Sequence, residues 1–316
     1  MVDVSIVVVN YNTREHLYQC LHSIFGLSHG CSYEVFVVDN GSTDGSAAMV
    51  RSNFPRAKLI ASSENLGFVR ANNIALQMAD GRYFLLLNAD ARLLPGALDA
   101  MVEFMNTHPD AGACGCKQVD PSGNIQLTWG YFPTLAREVV RKAMHARLSL
   151  NGNIVRAYLA HRFNGQTVVD WVAGSCLMVR SSIREQVGLM DEGYFMYFED
   201  IDWCHRIQQA GWKVYYLPHI QVVHEGGASA NKHKIDAILA YRRSQFYFTR
   251  KYYGPAVEKM LRFIISGKSL LNLARWGLKY AFMSNGSAER ELALCHTIVH
   301  KKTLKLALSS RTARDA

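Results

Sequence analysis

EVFVVDNGSTDGS, residues 34 to 46, sets a four-residue apolar run between two carboxylates and then enters a polar loop with two glycines. The β-branched and aromatic residues of 34–39 read as a strand, and the loop reads as a turn whose Ser or Asp can cap a following helix. The same pattern occurs three more times, in VSIVVV (4–9), AKLIAS (57–62) and YFLLLN (83–88). Between these runs the segments 14–25, 44–52, 68–79 and 95–107 carry helical periodicity, with Pro95 suited to a first helical turn. Strand and helix alternating four times predict a parallel sheet covered on both faces. Open sheets of this kind bind ligands beyond the carboxyl ends of their strands. The polar segments NYN, DNGSTDGS, SENLGF and NAD, one after each apolar run, are therefore the place to look for function.

A chain of 316 residues with 49% hydrophobic content is expected to hold one domain of about 220 to 250 residues plus an appendage. Seven scattered cysteines without a CxxC pair argue against a disulfide framework and a structural zinc site, and they fit a reducing compartment. The opening MVDVSIVVVNYN lacks a basic n-region and reads as a buried strand, not a signal peptide. Charge is unevenly placed. Residues 1–227 hold 18 Lys and Arg against 21 Asp and Glu, whereas residues 228–316 hold 17 against 5, a net of +12. An anionic partner for this tail is expected: a phospholipid surface first, a lipid-linked phosphate next, nucleic acid last.

From 118 to 168 the alternation stops, and TLAREVVRKAMHARLSL reads as a basic amphipathic helix. VVDWVAGSCLMVR (168–180) regains strand character, FEDIDWCHR (198–206) reads as a helix start, and two short strands are expected around KVYYL and IQVVHE. The tail segments ILAYRRSQFYFTRKYYG and MLRFIISGKSLLNLARWGLKYAFM are apolar on one side and cationic on the other. Lys268, Arg275 and Lys279 interrupt the second, which favours lying in a membrane interface, or packing on protein, over crossing a bilayer.

Four positions offer chemistry. A carboxylate at a strand end, Asp39, can accept the ring N–H of uracil or thymine, a donor that cytosine lacks. Asp90 ends the most apolar strand, where a fixed carboxylate can hold a hard divalent cation. In a helix starting at 199, Glu199, Asp202 and Arg206 share a side, and helix stability accounts for the Asp202–Arg206 pair. Asp200 points elsewhere, after the aromatic stretch GYFMYF, and suits a general base. His224, after a short strand and before two glycines, reads either as a structural histidine or as a metal ligand beside Asp90.

Taken in order, VVVNYN, VVDNGSTDGS, ENLGFVRANN, LLLNAD, WVAGSCLMVR, YFEDIDWCHR and VVHEGG resemble the family 2 glycosyltransferases, nearest to the rhamnosyltransferase-like branch of bacterial cell-surface polysaccharide synthesis. The resemblance covers about residues 3 to 228. It implies a GT-A fold: a Rossmann-like nucleotide-binding half (about 1–117) and an acceptor half (about 118–228) on one mixed, mostly parallel sheet, followed by a basic helical region at 229–316. Nucleotide contacts fall by position on Asn12, Asp39, Asn65, Gly67, Asn73 and Asn88, with Asn72 or Asn73 holding the loop at 65–67. Asp90 takes the last carboxylate of the family's DxD motif and His224 a second metal position. Asp200 becomes the catalytic base, supported by Glu199 and Asp202. The implied cofactor is magnesium or manganese, and Asn88 in place of a second carboxylate weakens the charge of that site.

The expected reaction is inverting transfer, with rhamnose favoured, from a dTDP- or UDP-sugar to a glycan hydroxyl, on a lipid-diphosphate carrier at the inner face of the cell membrane. The other class is a catalytically impaired nucleotide-sugar-binding or membrane scaffold. A dinucleotide oxidoreductase is disfavoured because NYNTREH lacks the G-x-G-x-x-G turn. A nucleotidylyltransferase lacks its Gly- and Arg-containing triphosphate loop, and a processive synthase lacks its membrane spans despite NLARW at 272–276.

Overall fold

The structure is a computed structural model that describes residues 2–134, 165–226, 234–283 and 287–309. The basic amphipathic helix expected near 135–150 falls outside the described residues. The four apolar runs form β1 (Val4–Asn10), β2 (Tyr33–Asn40), β3 (Lys58–Ser62) and β4 (Tyr83–Leu87). Helices α1 (Arg14–Phe25), α2 (Ser46–Asn53), α3 (Gly67–Met78) and α4 (Ala97–Thr107) alternate with them. Pro95 lies just ahead of α4, in a turn closed by Gly96 at φ 76°, a left-handed conformation that glycine adopts without strain.

β3, β2, β1 and β4 pair in parallel in that order. β3, at the sheet edge, stays partly exposed, whereas the side chains of β1, β2 and β4 are buried on both faces: Ile6, Val8 and Leu85 join Leu17 and Leu21 of α1 and Met101 of α4 in one core, and α3 packs on β1 and β2. Burial on both sides is why these strands are continuously apolar.

The sheet then changes character. β11 (Cys176–Arg180) pairs antiparallel with β4 and with β6 (Ala111–Val119), and β12 (Lys213–His224) runs parallel to β6. A short β5 (Ala91–Leu93) closes the edge antiparallel to β12, with His224 opposite Ala91. β7 (Ile125–Gln126) hangs on β6 and β9 (Thr167–Val168) on β12, while β8 (Trp129–Gly130) and β10 (Trp171–Val172) make a separate pair. The two strands expected around KVYYL and IQVVHE are one strand with a register shift between Leu217 and Gln221, where Pro218 has no N–H to give the ladder.

α5 (Ile183–Val187) and α6 (Glu199–Gln209) complete this unit, which comprises Met1–Glu192 and Glu199–Ser229. A second compact unit joins Gly193–Phe198 to Ala230–Ala316. It contains α7 (Lys234–Phe282), broken at Gly254 (φ 84°, ψ 169°) before Pro255, and α8 (Ala288–Leu308). The first tail segment is packed inside this unit: Phe246 and Phe248 are buried, with the Phe248 ring against Phe198 and Tyr252. Among the described residues, no helix is long and apolar enough to cross a membrane.

Candidate functional site

The loops after β1 and β2 are tied together by buried amides. Asn10, at the end of β1 and opposite Asp39 in register, donates from Nδ2 to Asp39 Oδ1 at 3.2 Å and to Ser42 Oγ at 3.1 Å. Asp39 is buried, and among the described residues its Oδ2 has no partner, so one oxygen remains to accept a ligand N–H. Asn12, in a left-handed conformation at φ 53°, accepts the Thr43 N–H at 2.8 Å and donates its own N–H to Ser42 Oγ at 3.0 Å.

Asn40 performs the same task on the other side. Its amide donates to Asn65 Oδ1 at 2.9 Å and to the Gly67 carbonyl, and it accepts the Leu66 N–H. Asn65 Oδ1 also takes the Gly67 N–H at 3.0 Å. Gly41 makes this docking possible, since a Cβ there would stand 2.7 Å from the Glu64 carbonyl carbon at φ +80°. Asn73 lies apart from these loops. Its amide donates to the Met190 carbonyl at 2.9 Å and to Glu192 Oε1, and its Oδ1 accepts the Met190 N–H, so it clamps the segment before residue 193. Asn72 donates to Phe68 O within its own helix.

Asn88, Asp90 and His224 meet where β5 folds back on β12. His224 Nε2 lies 3.3 Å from Asp90 Oδ1 and 3.4 Å from Asn88 Nδ2. Gln126 orients the ring. Its Nε2 donates to the His224 carbonyl at 2.8 Å, which fixes the amide so that Oε1 faces His224 Nδ1 at 2.7 Å. Nδ1 then carries the proton and the Nε2 lone pair points toward the carboxylate. A lone pair and a carboxylate oxygen turned to the same point, both nearly buried, fit a divalent cation, and the orienting amide is typical of metal-bound histidine. Among the described residues no three His, Cys, Asp or Glu side chains gather in metal-binding geometry. A two-ligand pair leaves coordination positions for diphosphate oxygens and water.

α6 begins after two consecutive bulky residues in left-handed conformation, Tyr197 (φ 70°) and Phe198 (φ 67°), an arrangement that costs energy and recurs at functional turns. Asp202 is fully buried and pairs with Arg206 Nε at 2.8 Å, and Arg206 also donates to the carbonyls of Val187 and Leu189. Asp200 faces differently. Its Oδ2 accepts the Gly174 N–H at 3.1 Å and its Oδ1 its neighbour Ile201 N–H at 2.8 Å. Burial pushes its proton affinity up, opposed by those two backbone bonds. Glu199 is pushed further up, first by burial and then by the Asp200 charge, and its Oε2 has no hydrogen-bond partner. Of the two, Asp200 ionises first, because only it holds those two N–H donors.

The loop between β10 and β11 links these parts. Ser175 O accepts the Asn88 N–H at 3.0 Å while the adjacent Gly174 holds Asp200, so the Asp200 carboxylate and Asn88, two residues before Asp90, are anchored on neighbouring residues of one short turn. Ser175 Oγ is itself fixed by Gln118 of β6 at 2.8 Å. Asn12, Asp39, Asn65 and Gly67 line the two loops beyond β1–β3, and Asn88, Asp90 and His224 stand together at the end of β12. Asn10, Asn40, Gln126 and Gly174 were missed. For Asn10 and Asn40 the signal was a polar residue ending an apolar strand; for Gln126 and Gly174 the sequence carries none, since their partners lie far along the chain.

Residues 5–187 match the family described as glycosyl transferase family 2. The chain is 31% identical over 281 residues, covering 84% of it and 90% of the relative, to the N-acetylglucosaminyl-diphospho-decaprenol L-rhamnosyltransferase of Mycobacterium tuberculosis. It is also 31% identical over 166 residues, half of this chain and 60% of the relative, to the rhamnosyltransferase WbbL of Escherichia coli. Among solved structures it superposes on the mannosyltransferase PcManGT from Pyrobaculum calidifontis in complex with GDP-Man and Mn2+, with a TM-score of 0.54 at 15% identity, across 100% of this chain and 80% of that one. That likeness shows a GT-A-like fold with a C-terminal helical region. The chain belongs to glycosyl transferase family 2.

Proposed function

We propose that the protein is an inverting rhamnosyltransferase that uses a dTDP- or UDP-sugar and glycosylates a hydroxyl of an N-acetylglucosaminyl-diphospho-lipid or a related lipid-linked glycan in cell-surface polysaccharide synthesis. The observation that carries this reading is the turn Gly174–Ser175, which ties the Asp200 carboxylate to the strand end bearing Asn88 and Asp90. The relatives support the sugar and the acceptor class, and the membrane association follows from a lipid carrier.

The pyrimidine ring N–H is read by Asp39 Oδ2, with Asn12, Asn65 and Gly67 shaping the nucleotide loops. Asp200 accepts the proton of the acceptor hydroxyl as that oxygen attacks the anomeric carbon from the face opposite the diphosphate. The C–O bond to the new acceptor forms as the bond to the nucleoside diphosphate breaks, which inverts the centre. Burial and the neighbouring Asp200 charge raise the proton affinity of Glu199, and Asp202, paired with Arg206, holds the helix start in place. A divalent cation held by Asp90 and His224, with Asn88 beside it, would offset charge on the departing diphosphate.

The test is a donor panel of dTDP-rhamnose and UDP-sugars with a short-chain N-acetylglucosaminyl-diphosphoprenol. Transfer from dTDP-rhamnose with an inverted anomeric bond supports the proposal. Release of no nucleoside diphosphate from any donor would favour the impaired-scaffold class instead.

A further inference from the structure

The second tail segment presents two different faces. From 259 to 288 the chain has five Lys or Arg and no Asp or Glu. One side of this part of α7 is spent on α8: Leu261 and Ile265 are buried, Trp276 stacks on His296 at 4.2 Å, and Arg262 donates to the carbonyls of Leu306 and Ser309. The other side is uncovered. Met260, Ile264, Gly267, Leu271, Ala274 and Leu278 follow at alternating spacings of four and three, which keeps them in one line along a helix, and all six are exposed. Phe263 (80% exposed), Leu271 (76%) and Phe282 (85%) are the most exposed large apolar side chains among the described residues. Lys268 and Arg275 each stand four residues beyond a stripe residue, and Lys279 four beyond Arg275, so the three cations border the stripe along one edge.

We infer that this face of α7, from Met260 to Phe282, is a docking surface for an anionic phospholipid bilayer, on which the helix lies in the interface plane. An apolar sector roughly 120° wide with cations at its rim places the first in the acyl boundary and the second among lipid phosphates. A second copy of the chain is the other candidate for a stripe at four-and-three spacing. It would bring no carboxylate to the cationic rim, because the segment has none, whereas a phospholipid surface satisfies stripe and rim together. The inference rests on the proposed function only in taking the acceptor to be lipid-linked; it adds which face of which helix meets the lipid, and it removes the first tail segment from that role.

The test sediments the full chain with vesicles of phosphatidylglycerol and phosphatidylcholine, or of phosphatidylcholine alone, beside two triple variants: Phe263→Ser, Leu271→Ser, Phe282→Ser and Lys268→Gln, Arg275→Gln, Lys279→Gln. The wild type partitions to the anionic vesicles, less so at high salt. The apolar triple loses at least about tenfold in partitioning, and the charge triple about fivefold per cation removed. All three proteins keep one mass by light scattering and the same rate of donor hydrolysis. The surface is overturned if the wild type stays in solution with anionic vesicles, if the apolar triple partitions like the wild type, or if the wild type is a dimer that the apolar triple makes monomeric. Vesicle binding without donor turnover counts against the proposed function and leaves the surface standing.

Discussion

At His224 the proposed cation site depends on a single ring nitrogen. Gln126 Oε1 stands 2.7 Å from Nδ1, and the opposite nitrogen, Nε2, faces Asp90 at 3.3 Å. Gln126→Leu should weaken manganese binding by about 10- to 100-fold, read by titration calorimetry, while Gln126→Glu, which keeps the acceptor, retains most of the affinity. Equal affinity in the Leu variant would remove Gln126 from that role. Glu199 poses a different question, because its buried carboxyl has no donor on Oε2. Its folded-state proton affinity exceeds the unfolded one, so the stability that the bound proton contributes is complete below the ordinary value of 4.5 and is lost as pH rises through the raised value. Glu199→Gln should therefore raise the melting temperature at about pH 8 and leave it nearly unchanged at about pH 4. A variant less stable at the higher pH would mean that Glu199 is held as a charge.

Among the elements, β1, β2 and β4 were legible because burial on both faces forces continuous Val, Ile, Leu and Phe, and the loops after β1 and β2 were legible because close loop docking requires glycine and short amides. β6 was not. AGACGCKQV is buried almost throughout, yet it is built of Ala, Gly and Cys because neighbours press on it. A Cβ on Gly112 would stand 2.6 Å from Trp212 Cβ, and one on Gly115 would stand 2.7 Å from Val172 Cβ. Small residues imposed by tertiary contact leave no periodic signal. Gly115→Ala must push β10 away, and with it the Ala173–Ser175 turn. It should cost about 1–3 kcal/mol in chemical denaturation and lower turnover as well, whereas unchanged stability would show that the strands can part freely.

For the molecule as a whole, the site is a product of strand order. Asp39 was readable as a strand-end carboxylate and Asp200 as a carboxylate that helix stability did not require. What joins them to Asp90 and His224 is the passage of β11 between β4 and β6, and the return of β12 to β5, neither of which local sequence encodes. The charge asymmetry was equally plain from composition, but which tail segment is packed and which is exposed depended on the α7–α8 pairing. The account stands or falls on Asp200 as the base of glycosyl transfer, and the direct measurement is turnover by Asp200→Asn alongside its donor affinity and melting temperature. Turnover should fall by at least about 10²- to 10⁴-fold while the variant stays folded and binds donor as the wild type does, and the wild-type acid limb should lie above the ordinary carboxylate range. A folded, donor-binding variant that turns over near the wild-type rate would contradict the account.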